Sequence, residues 1–172
     1  WFFPITDFFT LMLNGEAGYA DGYSGNTLPF FKNFFAGGNN SVRGYDLNSL
    51  GPRDVNISTN SRLFAVGASK RVVGNIELMF PVPFMKDDRS LRLSLFVDGG
   101  TTFNRFDTVT KVDSSGKTVE VPGFGDLMRY STGIALTWVS PMGPLKVSIA
   151  QPLNDQPSDN LQRFQFMFGQ QF

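Results

Sequence analysis

The stretch Leu161–Phe172 reads LQRFQFMFGQQF. Phe164, Phe166, Phe168 and Phe172 share one parity, interrupted only by Gln170, while Arg163, Gln165, Met167, Gly169 and Gln171 hold the other. Side chains two apart in an extended chain point the same way, so this is a β-strand with an aromatic face and a polar or small face. A helix would scatter the same phenylalanines around its circumference. The period of two therefore decides the fold class, which is all-β.

The same period recurs upstream. In Arg129–Ser140, Tyr130, Ile134, Leu136 and Trp138 oppose Arg129, Ser131, Gly133, Ala135 and Thr137, and after SPMGP, Leu145, Val147 and Ile149 alternate with Lys146, Ser148 and Ala150. Leu91, Leu93, Leu95 and Val97 oppose Arg92, Ser94, Phe96 and Asp98. Val72, Ile76, Leu78 and Phe80 oppose Val73, Asn75, Glu77 and Met79, and Phe9, Leu11, Leu13 and Ala17 oppose Thr10, Asn14 and Glu16. This predicts about six strands of about ten residues, the length that crosses a bilayer when tilted.

Alternation alone permits a water-soluble sandwich as well as a transmembrane barrel. Three features favour the barrel. The polar faces carry Gly, Ser and Asn rather than the dense Lys and Glu of a water-facing surface. Aromatic residues stand at strand ends, at Tyr19, Phe80, Phe103, Tyr130, Trp138 and Phe172, where interfacial girdles belong. Connections alternate between short (VPFMKDDR, SPMGP) and long (about residues 20–62 and 104–127), with PLNDQPSDN of middle length. Short turns lie on the periplasmic rim of such barrels, so the final strand runs towards the periplasm and the long loops face outside. Six strands fall short of the eight in the smallest closed barrels, which predicts a portion of a larger barrel whose edges are completed by strands elsewhere.

Composition removes other functions. Fifteen basic and fifteen acidic residues cancel, leaving no electrostatic footprint for nucleic acid. Mean hydropathy is -0.10, and no apolar run approaches the length of a transmembrane helix. Cysteine and histidine are absent, so disulfides, thiolate zinc sites, imidazole bases and histidine-dependent catalytic triads are excluded. The opening WFFPITDFF lacks the pattern of a signal peptide, as expected of an internal or C-terminal piece. GASK lacks P-loop spacing, and KVDSSGK and NDQPSDN lack the spacing of a calcium loop, reading instead as polar loop tips.

One loop carries an isolated charge. AGGNNSVRGYDLNSLG, Ala36–Gly51, sets Arg43 between Val42, Gly44 and Tyr45. That segment, with SLFVDGGTT, GIALTWVSPMGPLKVSIAQPLN and FQFMFGQQF, resembles the C-terminal barrel of the BamA family of outer-membrane assembly factors, in the family's order and along the whole chain. The resemblance implies the last six strands of a sixteen-stranded barrel in the bacterial outer membrane, plus the tail of the strand before, WFFPI. No POTRA domain lies within residues 1–172. The family's sixth extracellular loop folds into the lumen, and its VRG(F/Y) motif falls on Val42, Arg43, Gly44 and Tyr45. Its inward F-x-D-x-G motif falls on Phe96, Asp98 and Gly100, and an inward glutamate on Glu77.

Strand parity independently puts Phe96, Asp98 and Glu77 on the polar face. An arginine fork takes a carboxylate bidentately, so Arg43 is expected to pair with Asp98, with Glu77 as second neighbour. Tyr45 is expected either to stack on Phe96 or to anchor by its hydroxyl.

The resemblance further implies a non-enzymatic role without a cofactor: a lateral seam that opens so that incoming strands add at an edge. The terminal strand, Leu161 to Phe172, would supply one side of the seam. It would also carry the aromatic barrel signal at Phe164, Phe166, Phe168 and Phe172, with Gly169 weakening or bending its pairing. The partners implied are outer-membrane lipids, nascent β-barrel proteins, the remaining barrel strands, and lipoprotein subunits reached through domains outside this chain. A two-partner secretion transporter or the anchor of a surface enzyme are the alternatives.

Overall fold

In a computed structural model, residues 1–23, 28–53, 64–82, 90–112 and 118–169 are described. The wall is a seven-stranded antiparallel sheet in the order β1 (Phe2–Pro4), β2 (Thr10–Tyr19), β4 (Lys70–Pro81), β5 (Leu91–Phe103), β8 (Arg129–Ser140), β9 (Gly143–Pro152) and β11 (Phe164–Phe168). Between β2 and β4 the long connection contains β3 (Gly44–Tyr45). Between β5 and β8 lie a hairpin of β6 (Val109–Val112) and β7 (Thr118–Val121), then one helical turn, α1 (Phe124–Leu127). Each of the six expected strands contributes to the sheet, and from the WFFPI tail Phe2–Pro4 joins it as β1.

In β4, β5, β9 and β11 burial follows the period of two, with the polar side hidden. Along β5, Ser94, Phe96 and Asp98 are buried, while Leu95 and Val97 are 48% and 47% exposed. Ile134, Ile149 and Phe166 on the following strands are 51%, 62% and 58% exposed. Asn75, Glu77, Ser131, Ser148 and Gln165 are buried on the opposite side. A contiguous apolar band of this extent is untenable against water and is what lipid-facing β-walls present. Large side chains thus face outward and hydrogen-bonding ones inward, the inverse of a soluble core.

Two expectations are corrected. The terminal strand is not continuous from Leu161 to Phe172. It breaks at Arg163 into β10 (Leu161–Gln162), which pairs with β3, and β11, which pairs with β9 from Phe164↔Ile149 to Phe168↔Leu145. The cause is competition for backbone partners: Gly44 and Tyr45, held inside the wall, offer amides and carbonyls that the upper end of the strand takes in place of β9. Phe172 lies outside the described residues.

Phe103 is not an interfacial residue either. It is 2% exposed, because α1 and the preceding loop cover it, with the rings of Phe124 and Phe106 centred 4.8 and 5.1 Å away. Beyond Gly100, β5 rises into the loop layer and is buried on both faces, Thr101 and Thr102 included. Tyr19, Tyr130 and Trp138 do stand exposed at strand ends, at 67%, 44% and 44%. Among the described residues β1 and β11 are edges, each with one partner strand.

The outward parity is testable at Ile134, whose register partners are Leu95 and Ile149. Ile134→Lys should cost about 2–4 kcal/mol of folding into a bilayer, by urea titration in vesicles, if it lies near the midplane. Ile134→Leu should cost under about 1.5 kcal/mol.

Candidate functional site: a buried arginine latch

Register assembles the wall side of the site. Glu77 lies opposite Phe96 and Asn75 opposite Asp98 across the β4–β5 pair, so two carboxylates, an amide and a ring converge on one luminal patch. On the other flank Phe96 faces Gly133 of β8, where a β-carbon would stand 2.7 Å from the Phe96 ring. The missing side chain lets the ring lie flat along the wall.

The loop supplies the cation. Val42, Arg43 and Tyr45 are each 2% exposed or less, although they belong to a long connection between strands. Arg43 donates from Nε to Asp98 Oδ2 at 2.7 Å and from Nη2 to Asp98 Oδ1 at 2.8 Å, a bidentate fork. Its Nη1 donates to Glu77 Oε2 at 2.9 Å, and its backbone N–H to Asp98 Oδ2 at 3.1 Å. The guanidinium carbon sits 3.4 Å from the Phe96 ring centroid. Stacking adds to the charge pairing because the planar cation offers its edge to carboxylates and its face to the ring. Burial works to lower the pKa of Arg43, but Asp98 first and Glu77 behind it outweigh burial and raise it.

Neutralisation is completed by groups the motifs do not include. Lys146 Nζ donates to Glu77 Oε2 at 3.2 Å, so two cations meet two carboxylates. Ser94 Oγ donates to Glu77 Oε1 at 2.6 Å. Asn75 Nδ2 donates both to Asp98 Oδ1 at 2.8 Å and to Ser41 O at 2.6 Å, joining wall to loop backbone. Parity places Asn75, Ser94 and Lys146 on the inner face, but their proximity to the carboxylates needs the strand register, which no single strand's pattern contains.

The neighbours of Arg43 fit it to the wall. Gly44 has φ +89°, and a β-carbon there would meet Ala150 Cβ at 3.1 Å, so both its conformation and its contact with β9 favour glycine. At Gly100 a β-carbon would lie 3.0 Å from Val42 Cγ2, and its absence lets Val42 seat. Tyr45 does not stack on Phe96, whose face Arg43 occupies. Its hydroxyl donates to Tyr130 O at 3.3 Å, and burial pushes its pKa up to about 12.

The latch loop is also bound to the terminal strand. Leu161 pairs with Tyr45 and Gln162 with Gly44, Asp46 N donates to Asn160 O at 2.9 Å, and Gln165 Nε2 donates to Tyr45 O at 2.7 Å. Gln165 is 3% exposed, between the outward Phe164 and Phe166. Phe164, Phe166 and Phe168 point away from the site, and Gly169, at φ +84°, follows the end of β11 with its N–H on Pro144 O at 2.9 Å. Gln165 breaks an aromatic run in the sequence, a signal that marks the inward face but not the loop carbonyl it reaches.

A second buried ion cluster lies above the first. Asp159 accepts from Arg129 Nε at 2.6 Å and pairs with Arg53 Nη2 at 3.5 Å. It also accepts from the Gln156 N–H at 2.8 Å, so the NDQPSDN segment spends this carboxylate on arginine and on its own turn.

The model of the Omp85 superfamily domain matches residues 1–172. The outer membrane protein assembly factor BamA of Neisseria meningitidis serogroup B is 42% identical over 184 residues, covering all of this chain and 23% of the relative. BamA of Nitratidesulfovibrio vulgaris is 30% identical over 148 residues, covering 84% of this chain and 16% of its own length. The crystal structure of BamA from Haemophilus ducreyi lacking POTRA domains 1–3 superposes with a TM-score of 0.79 at 31% identity, over 96% of this chain and 32% of that one. The chain thus spans less than a third of the length of these relatives.

Removing one member of a buried, hydrogen-bonded pair leaves an uncompensated charge. Arg43→Ala or Asp98→Asn should therefore weaken docking of the loop by about 3–5 kcal/mol, read as increased protease cleavage within residues 36–51 of the folded barrel. Arg43→Lys keeps the charge but not the fork and should recover only part of that. Loss of the ring face in Phe96→Leu should cost about 2 kcal/mol, less than loss of the fork.

Proposed function

The chain belongs to the Omp85 superfamily, and on that premise we propose that it is the C-terminal wall of an outer-membrane protein assembly factor, a barrel that folds and inserts other β-barrel proteins through a lateral seam. The observation that carries this reading is the state of the terminal strand. Among the described residues β11 pairs with β9 over Phe164–Phe168, flanked by bonds from Ala150 N to Arg163 O and from Gly169 N to Pro144 O, while its upper continuation is held inside by the latch loop. A final strand so shortened leaves one edge of hydrogen-bonding groups with little of its own to close against.

Such an edge suits β-augmentation, in which an incoming strand takes the free amides and carbonyls while its outward side chains pass into lipid. Gly169 follows β11 at φ +84°, outside the extended conformation of a regular strand. The short apolar band on β11 is matched by local thinning of the bilayer, which lowers the cost of bringing polar loops across. Strand pairing and lipid burial supply the free energy, so the reading includes no catalytic step and no cofactor. The partners are outer-membrane lipids, nascent β-barrel proteins and the strands that complete the barrel, with lipoprotein subunits bound through domains outside this chain. The location is the bacterial outer membrane.

Depleting the whole protein should lower the folded amounts of several unrelated outer-membrane barrels together, measured by their resistance to SDS before heating. If those barrels persist and a single secreted protein is lost instead, the chain serves a two-partner secretion transporter and the assembly reading fails.

A further inference from the structure

We propose that the outer face of the wall beside the terminal strand is a binding site for a lipid with an anionic phosphate headgroup, the acyl chain lying in an apolar groove and the phosphate on Arg163. The groove has a volume of about 550 Å³, within the range of ligand sites. Leu95, Ile134, Val147 and Ile149 form its walls, and the backbone at Gly133 is part of its floor. Leu95, Ile134 and Ile149 are all exposed, so the groove faces the lipid.

Arg163 distinguishes this groove from the rest of the apolar band. By parity it belongs with Gln165 on the luminal side, yet it is exposed and lines the outer groove. The break between β10 and β11 falls at this residue and interrupts the alternation, as strand irregularities do when they re-aim a side chain. Its carbonyl still accepts from Ala150 N at 2.8 Å, so its backbone remains fixed to β9. Among the described residues no carboxylate pairs with its guanidinium. Arg43, Arg53, Arg71 and Arg129 each pair with one, whereas the half-buried Arg92 and Arg105 form no ion pair among the described residues and do not line this groove.

Position selects the anion. Strand β9 rises from the short turn at 141–142 to the loop 153–160, and Arg163 lies opposite its upper end. Thr132 and Gln151, paired across β8 and β9 and lining the same groove, add polar groups at that level. This is the headgroup end of the lipid-facing wall, where an arginine reaches polar surroundings while its stem stays on apolar surface. The anions of a membrane interface are phosphates, and a guanidinium takes a phosphate bidentately. A lipid held at both ends, chain in the groove and phosphate on Arg163, is retained where a lipid touching the wall at one point exchanges. The site needs the wall in a membrane but not the assembly role, so its failure and that of the assembly reading are separate.

The test is native mass spectrometry of the whole barrel protein containing this chain, purified in neutral detergent and titrated with equimolar phosphatidylglycerol and phosphatidylcholine. The native protein should retain phosphatidylglycerol preferentially. Arg163→Gln should lower that preference about fivefold, and Arg163→Lys should keep most of it. Val147→Trp, which fills the groove, should reduce retention of both lipids. Folding of each variant is checked by SDS resistance, and if Val147→Trp does not insert, Ile149→Ala replaces it, with a loss of roughly fivefold or more expected. An unchanged lipid ratio in Arg163→Gln overturns the phosphate contact. Unchanged retention in the groove variants also overturns the site, leaving Arg163 to gather anionic lipid as any interfacial cation does.

Discussion

The charge of Arg43 is the constraint on which the luminal side of this structure depends. A guanidinium this buried is tolerable only if its hydrogens meet acceptors and its charge meets an opposite one. Asp98 provides two acceptors in the plane of the fork, Glu77 a third, and Phe96 the face above it. Satisfying Glu77 in turn draws in Ser94 and Lys146, and satisfying Asp98 draws in Asn75. Four wall strands, β4, β5, β9 and, through the carbonyl that receives the Tyr45 hydroxyl, β8, are thereby tied to one loop. Among the described residues the loop's regular structure is one turn at Phe30–Lys32 and the two-residue β3, too short to hold itself there, so the wall's charges hold it.

From that anchor follows the shape of the terminal strand. Once Arg43 is seated, Gly44 and Tyr45 lie against β9 and present backbone groups inside the wall, where Leu161 and Gln162 pair with them. Gln165 reaches inward to the Tyr45 carbonyl from the strand's wall-bound half. The terminal strand is therefore shared between wall and loop. An interaction on the luminal side thus bears on which partner the upper part of the last strand takes.

Much of this was legible in the sequence, and the limits have physical causes. Alternation fixes which face each strand residue occupies, so Phe96, Asp98 and Glu77 fall on the inner side without reference to any relative. The resemblance adds the correspondence of the loop motif. What alternation does not contain is the offset between strands, which decides that Asn75 meets Asp98 and that Lys146 reaches Glu77. It also misreads residues wherever a second layer covers the wall, as α1 covers Phe103. The split at Arg163 escaped because strand propensity is a property of one segment, whereas the choice between β9 and β3 is a competition between two possible partners. Arg129 and Asp159 look like unrelated loop charges until the chain brings 30 residues of separation down to 2.6 Å.

Coupling between the latch and the terminal strand is measured most directly by amide hydrogen exchange on the whole protein in a bilayer mimic, comparing the native form with Arg43→Ala. If Arg43 holds both, protection should fall together across residues 43–46 and 160–162, while amides in the centre of β5 and β8 keep theirs. Loss of protection in the loop with residues 160–162 unchanged would contradict the coupling, and would mean that the terminal strand owes its inward turn to something other than the arginine.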